Sequence, residues 1–161
     1  MAINQDDLRK IMRTWTSGVT VVTARHADQQ QGMTVSSFTS ISLDPPRVLV
    51  SLERAARTCK LATMSGHFGI TILSAEQKEI SDRFAGRMPA LDENRFEGLE
   101  VETIQSGSPF IVGGLAFLDC RVVDAFEVGV NTLLIGEVIA ARSSTDGSPL
   151  LYFNQDYRFL K

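Results

Sequence analysis

Cysteine and histidine are scarce in this chain of 161 residues, with two of each. Cys59 and Cys120 lie far apart and form no Cys-x-x-Cys. That leaves neither a disulfide framework nor a metal-ligand spacing, and a reduced, cytoplasmic setting is expected. His26 and His67 stand away from any cysteine or paired carboxylates. They read as a loop histidine and a strand-start histidine, not as parts of a nucleophilic triad, and no metal site is expected. No Gly-x-Gly-x-x-Gly follows a strand, and the phosphate loop, the His-Glu-x-x-His motif and the Gly-x-Ser-x-Gly motif are all missing. A basic surplus is missing too: sixteen Lys and Arg face nineteen Asp and Glu, for a net charge of −3. Such a balance offers no field for gripping nucleic acid. The opening Met-Ala-Ile-Asn-Gln-Asp-Asp has no apolar core, so no secretory signal is expected. Apolar runs such as Thr132 to Ile135 are far too short to cross a membrane, and no membrane partner is expected. Internal repeats, low-complexity tracts and long linkers are absent as well, so residues 1–161 are read as a single domain.

What is present is an ordinary globular composition, 43% hydrophobic and 22% charged. Asn4 suits a helix cap, and Leu8, Ile11, Met12 and Trp15 fall on one helical face that should be buried, with Gly18 as the stop. Val19 to Arg25 reads as a strand, His26 to Gly32 as a polar turn, and Met33 to Leu43 as a strand-like stretch rich in Ser and Thr, broken at Pro45-Pro46. Arg47 to Leu52 is a buried strand, and Thr58 is placed to cap a helix over Cys59 to Ser65 that ends at Gly66. His67 to Leu73 alternates like a strand. Ser74 with Gln77 forms a capping box for a helix running to about Ala85, with Gly86 as stop. Leu115 to Phe126 and Thr132 to Arg142 are long strands around a turn at Gly129, and Leu150 to Phe153 is a last strand. The βαβ alternation of a parallel sheet is missing. The fold class is therefore mainly β with peripheral helices, with a closed or nearly closed antiparallel barrel as the expected solution.

Three segments carry chemistry. Thr34-Val35-Ser36-Ser37-Phe38-Thr39-Ser40-Ile41-Ser42 concentrates six hydroxyls, with Thr34, Ser36, Ser40 and Ser42 on one face if no bulge intervenes. Hydroxyls and backbone N–H groups suit a polyol or a phosphate, though a solvated edge strand would look similar. Arg54, Arg57, Thr58 and Lys60 surround a helix start, which makes either an anion site or a solvated loop. Phe84-Ala85-Gly86-Arg87 ends a helix and reads plainly as a hydrophobic C-cap, which leaves the flanking aromatic and Arg unaccounted for.

These segments, together with Thr16 to Thr23, Gly32 to Leu43 with Pro45-Pro46, Leu133 to Val138 and Pro149 to Phe153, resemble in order and spacing the short-chain flavin reductase family. Its members are the reductase partners of two-component flavin monooxygenases. The resemblance runs from about Leu8 to Leu160. It implies an FMN-binding split β-barrel, a homodimer with FMN or FAD at the interface. It places Thr34, Val35, Ser36 and Ser37 along the ribityl chain and phosphate, with Ser40 and Ser42 nearby. It sets Ser51 and Leu52 at the flavin ring, Arg54, Arg57 and Thr58 around the phosphate, and Phe84, Ala85 and Gly86 along the border. NADH or NADPH would stack on the flavin and pass a hydride to its N5, so no catalytic side chain is required. Where the family carries Gly-Asp-His beside the nicotinamide, this chain has Gly129-Val130-Asn131, which bears on nicotinamide use more than on flavin binding. The implied function is an NAD(P)H-dependent flavin reductase supplying reduced flavin to a monooxygenase. A flavin-binding redox protein that uses NAD(P)H poorly and a non-enzymatic ligand-binding barrel are the alternatives. The choices between FMN and FAD and between NADH and NADPH stay open.

Overall fold

The structure, a computed structural model, describes residues 2–144 and 146–161. Helix α1 (Gln5–Met12) leads into strands β1 (Ser17–Gly18), β2 (Thr20–His26), β3 (Gln29–Val35), β4 (Thr39–Leu43) and β5 (Pro46–Glu53). Helix α2 (Arg57–Ser65) and strand β6 (His67–Ile72) follow, then a 3-10 turn (Ala75–Gln77) that runs into α3 (Lys78–Phe84). A second 3-10 turn (Pro89–Leu91) precedes β7 (Val101–Glu102), β8 (Phe110–Ile111), the long pair β9 (Ala116–Val128) and β10 (Asn131–Ser143), and the hairpin β11 (Leu151–Phe153) and β12 (Asp156–Arg158).

Local chemistry sets several boundaries. Asn4 caps α1 by accepting the Asp7 N–H at 2.9 Å, and Asp7 completes the capping box. The Ser74 N–H donates to Gln77 Oε1 at 3.1 Å in the second box. Helix α2 ends at Gly66, which is left-handed with φ 72°. Its start differs from expectation: the N-cap is Ala56, which has no capping side chain, and Thr58 already lies inside the helix. Gln29 to Gln31 belong to β3 instead of a loop, because the β2–β3 hairpin turns within two residues, Ala27 and Asp28. The hydroxyl-rich stretch is not one strand. It breaks over Ser36 to Phe38, and β4 shifts register between Ser40 and Ser42, so the four hydroxyls do not share a face.

The main sheet has seven strands in the order β3-β2-β6-β9-β10-β5-β4, each antiparallel to its neighbours. It does not close. Among the described residues no ladder joins edge strand β3 to edge strand β4 or to β5. A side chain spans the gap instead: Ser37 Oγ donates to Ser51 O at 2.8 Å and accepts the Ser51 N–H at 3.1 Å. The loop that ends β3 leaves no backbone run to continue the pairing, so the barrel expected from the sequence is an open sheet.

Strand β2 is buried from Thr20 to Ala24 because both of its faces are covered. Val22 and Ala24 face a core with Val50, Leu52, Leu61 of α2 and Phe68. Val21, with Val19 just before the strand, faces a second core with Leu73, Phe84 of α3, Ile111 and Leu150. Period-two alternation thus feeds two cores from one unbroken apolar run. Helix α1 departs from expectation: it ends at Met12, so Trp15 lies beyond it and Gly18 belongs to β1 instead of stopping it; Leu8, Ile11, Met12 and Trp15 are each at least 51% exposed, and the helix buries nothing within this chain. Its apolar face was expected to meet the core, but the chain's own sheet does not reach it.

Candidate functional site

A cavity of about 560 Å³ opens between β3, the β5–α2 connection and the C-terminal end of α3. Gly32 and Thr34 form one wall, Arg57 and Thr58 the second, and Phe84 and Ala85 the third. Gly32 is required by close packing, because a Cβ there would sit 2.7 Å from Phe84 Cε1. Thr34 Oγ1 donates to Ser81 O at 2.6 Å and so ties β3 to α3.

The α2 end of the cavity is electropositive. The uncapped start of the helix leaves the N–H groups of Arg57, Thr58 and Cys59 without backbone or side-chain acceptors among the described residues. The Thr58 hydroxyl and the Arg57 guanidinium line the same cavity and likewise have no hydrogen-bond partner there. Unpaired donors at a helix N-terminus, beside an unpaired cation, form a receptor for an anion.

Arg95 is the second cation of this cavity, and sequence reasoning missed it. Its Nη1 donates to Phe84 O at 3.0 Å and to Gly32 O at 3.3 Å, while Nη2 lies 3.3 Å from Asp92 Oδ1. Arg95 therefore braces two walls and has little left for a ligand. The only sequence signal was an Arg able to reach the last carbonyls of α3 from outside the helix, a contact across eleven positions that local patterns do not reveal.

A smaller cavity of about 170 Å³ shares Thr34 and Ala85 with the first and adds Ser36 and Tyr152. Ser36 and Tyr152 also line a third cavity, of about 600 Å³, which continues to Ser37, Phe38 and Trp15. The three lie in a row from the start of α2, past the hydroxyls of Thr34 and Ser36, to the exposed Trp15. Beside the middle cavity, Tyr157 Oη contacts Ser81 Oγ at 2.8 Å and Asp82 Oδ1 at 2.6 Å, and Arg87 Nη1 lies 2.8 Å from Asp82 Oδ1. Burial alone would raise the Asp82 carboxyl, but the Tyr157 hydroxyl and the Arg87 guanidinium outweigh it and hold Asp82 below its ordinary value. Burial and the Asp82 contact push the Tyr157 hydroxyl upward.

The structure gathers Thr34, Ser36, Arg57, Thr58, Phe84 and Ala85 along these cavities, with Gly86 (φ 73°) closing α3 beside Arg95. Ser37 lines the third cavity, but its hydroxyl is also engaged with Ser51. The side chains of Val35 and Leu52 lie in the hydrophobic core. Ser40 and Ser42 sit on edge strand β4 and line none of these cavities. The Arg54 guanidinium is turned toward the β9–β10 turn, 2.8 Å from Gly129 O and 3.3 Å from Asn131 O. Gly129 and Asn131 are thereby joined to the end of β5, next to the cavity residue Glu53. Among the described residues, no cluster of three His, Cys, Asp or Glu side chains is placed to hold a metal ion, and no helix is long and apolar enough to cross a membrane.

Comparison with known proteins agrees with this arrangement. Residues 12–161 match the flavin reductase like domain. The FMN reductase (NADH) SmoA of Agrobacterium fabrum is 39% identical over 149 residues, covering 92% of this chain and 82% of that protein. The reductase subunit HsaB of a flavin-dependent monooxygenase of Mycobacterium tuberculosis is 31% identical over 157 residues, covering 96% of this chain and 82% of that one. The solved structure of an NADH:FAD oxidoreductase of Streptomyces globisporus, in complex with NAD and FAD fragments, aligns with a TM-score of 0.89 at 30% identity, covering 100% of this chain and 97% of that one. With the sequence match spanning all three walls of the cavity and the fold shared end to end, the chain belongs to the flavin reductase-like domain family.

Proposed function

We propose that this protein is an NAD(P)H-dependent flavin reductase that reduces FMN or FAD and releases it to a separate flavin-using monooxygenase. The observation that carries this reading is the set of unpaired donors at the start of α2, in a cavity that shares Thr34 of β3 with the neighbouring cavity lined by Ser36. A phosphate monoester joined to a polyol has that chemistry. Relatives named as NADH-linked flavin reductases favour a reductase over a passive flavin carrier.

Flavin held by these residues would supply the electron sink for a hydride from the nicotinamide. The chain's own residues bind and orient. Arg57, Thr58 and the α2 N–H groups hold the phosphate. Thr34 and Ser36 face the ribityl hydroxyls, and Phe84, Ala85 and Gly86 bound the site, braced by Arg95. Asn131 offers the nicotinamide nucleotide a neutral hydrogen bond where the family carries a histidine, and Gly129 shapes the turn. Orienting two flat rings against each other needs little acid–base chemistry from side chains.

A second copy of the chain completes the molecule in this reading. It covers the exposed apolar face of α1, Leu8, Ile11 and Met12, with Trp15 just beyond the helix and Ile41 and Leu43 of β4. Residues 1–161 act as a single domain, and a cytoplasmic location suits its two free cysteines. A steady-state assay with NADH or NADPH and with FMN or FAD tests the reading. Oxidation of the nicotinamide that depends on added flavin is expected, and its absence with all four pairs would refute it.

A further inference from the structure

We propose that Arg54 is a positioning residue for the nicotinamide site, holding the Gly129–Asn131 turn in the shape that receives the donor. The proposal rests on the reductase reading above. One residue engages all three carbonyls of the turn: the Arg54 N–H donates to Val130 O at 2.9 Å, and its Nη2 donates to Gly129 O at 2.8 Å and to Asn131 O at 3.3 Å. Its Nε lies 3.5 Å from Glu127 Oε1, on the last stretch of β9 before the turn.

Packing does not hold this turn. Val130 is 73% exposed, and β9 is exposed from Asp124 to Val128. Where few buried contacts exist, hydrogen bonds decide the shape and its fluctuation. A planar guanidinium suits that task, because it presents several donors in a fixed fork, whereas an ammonium offers a flexible point charge. The link also reaches the flavin cavity. Asn131 pairs with Glu53 in the β10–β5 ladder, and Glu53, the neighbour of Arg54, lines the cavity beside Arg57. Arg54 thus connects the wall of the flavin site to the turn assigned to the nucleotide. That geometry separates it from Arg57, although both lie in the same cationic segment.

The contacts are partly exposed, so the effect is moderate. Arg54→Ala should raise the KM for NADH about three- to tenfold, in keeping with a charged donor screened by solvent. The kcat should stay within about twofold, the FMN dissociation constant should hold, and Arg54→Lys should recover part of the loss. Amide hydrogen exchange at residues 129–131 should accelerate in Arg54→Ala while the melting temperature is kept, a readout that global destabilisation would not give. An unchanged KM, or unchanged exchange in the turn, with an active wild type overturns the proposal and leaves the reductase reading standing. If FMN binding weakens as much as NADH binding, Arg54 serves the phosphate and the proposal is overturned. A wild-type protein that oxidises no nicotinamide overturns the reductase reading itself, and the proposal falls with it.

Discussion

Replacing Arg57 by alanine removes the one cation of the main cavity that has no partner inside the chain among the described residues. Arg95 shares the cavity but is committed to Phe84 O, Gly32 O and Asp92. A hydrogen bond to a charged group contributes about 1.5–3 kcal/mol. Arg57 is exposed, so solvent screening points to the lower end, near 1.5 kcal/mol, or about tenfold in affinity. The α2 N–H groups remain in the variant, and with the helix dipole they retain about 0.3–1 kcal/mol of the attraction. The assay is titration of FMN and of riboflavin, followed by quenching of flavin fluorescence. Riboflavin carries the same ring and ribityl chain without the phosphate. Arg57→Ala should weaken FMN about tenfold and leave riboflavin unchanged, and Thr58→Val should weaken FMN about two- to tenfold through loss of a neutral hydrogen bond. Folding should be little affected, since among the described residues the Arg57 guanidinium has no hydrogen bond or ion pair to lose. Equal loss for both ligands, or no loss for either, would refute the placement of the phosphate at α2.

Other perturbations test separate parts of the account. Asp119 is fully buried and accepts the Gln105 and Ser106 N–H groups at 2.8 Å each and the Ser106 hydroxyl at 2.5 Å, so Asp119→Asn should cost about 3 kcal/mol or more in urea unfolding. A loss under about 1 kcal/mol would show that the loop is pinned some other way. The Asp82 carboxyl is held below its ordinary value, so its contribution to stability is present above the unfolded value of about 4 and is lost as pH falls through the lowered folded value. The stability gap between wild type and Asp82→Asn should therefore be constant near neutral pH and shrink in acid; a gap independent of pH would contradict this. Leu8→Glu with Ile11→Glu places charge on the exposed face of α1 and should turn a dimer into a monomer by light scattering. A wild type that is already monomeric would remove the proposed interface.

Several local signals in the sequence, each decided within a single turn of chain, were reliable. The Asn4 cap, the Ser74–Gln77 box, the left-handed Gly66 and the tight turn at Gly129 all stand where the residues place them. Pairings between distant segments were not legible. Strand β5 lies beside β10 and β6 beside β9, and nothing local reveals that the last pairing needed to close the sheet is missing. The α1 face was read correctly as apolar and wrongly as buried, because amphipathicity states that a face needs cover but not that the same chain provides it. Seven of the candidate site residues line the cavities, carried by β3 and the loop after it, by α2 and by the end of α3. From the sequence Arg54 is the preferred cation for the phosphate, yet Arg57 is the one that lines the cavity, because Arg54 reaches instead to Gly129, seventy-five residues away. Thr58 was expected as a cap. Its failure to cap frees its hydroxyl and the adjacent N–H groups, so that error of local structure strengthens the anion site.

The most direct test of the central claim is anaerobic reduction of free flavin. Catalytic amounts of the protein are mixed with NADH and an excess of FMN, and the absorbances of both are followed together. Loss of flavin colour and loss of NADH in equal amounts over many turnovers, with no reaction when the protein is omitted, is the predicted result. Bound flavin that keeps its colour in the presence of NADH and NADPH alike would contradict the account.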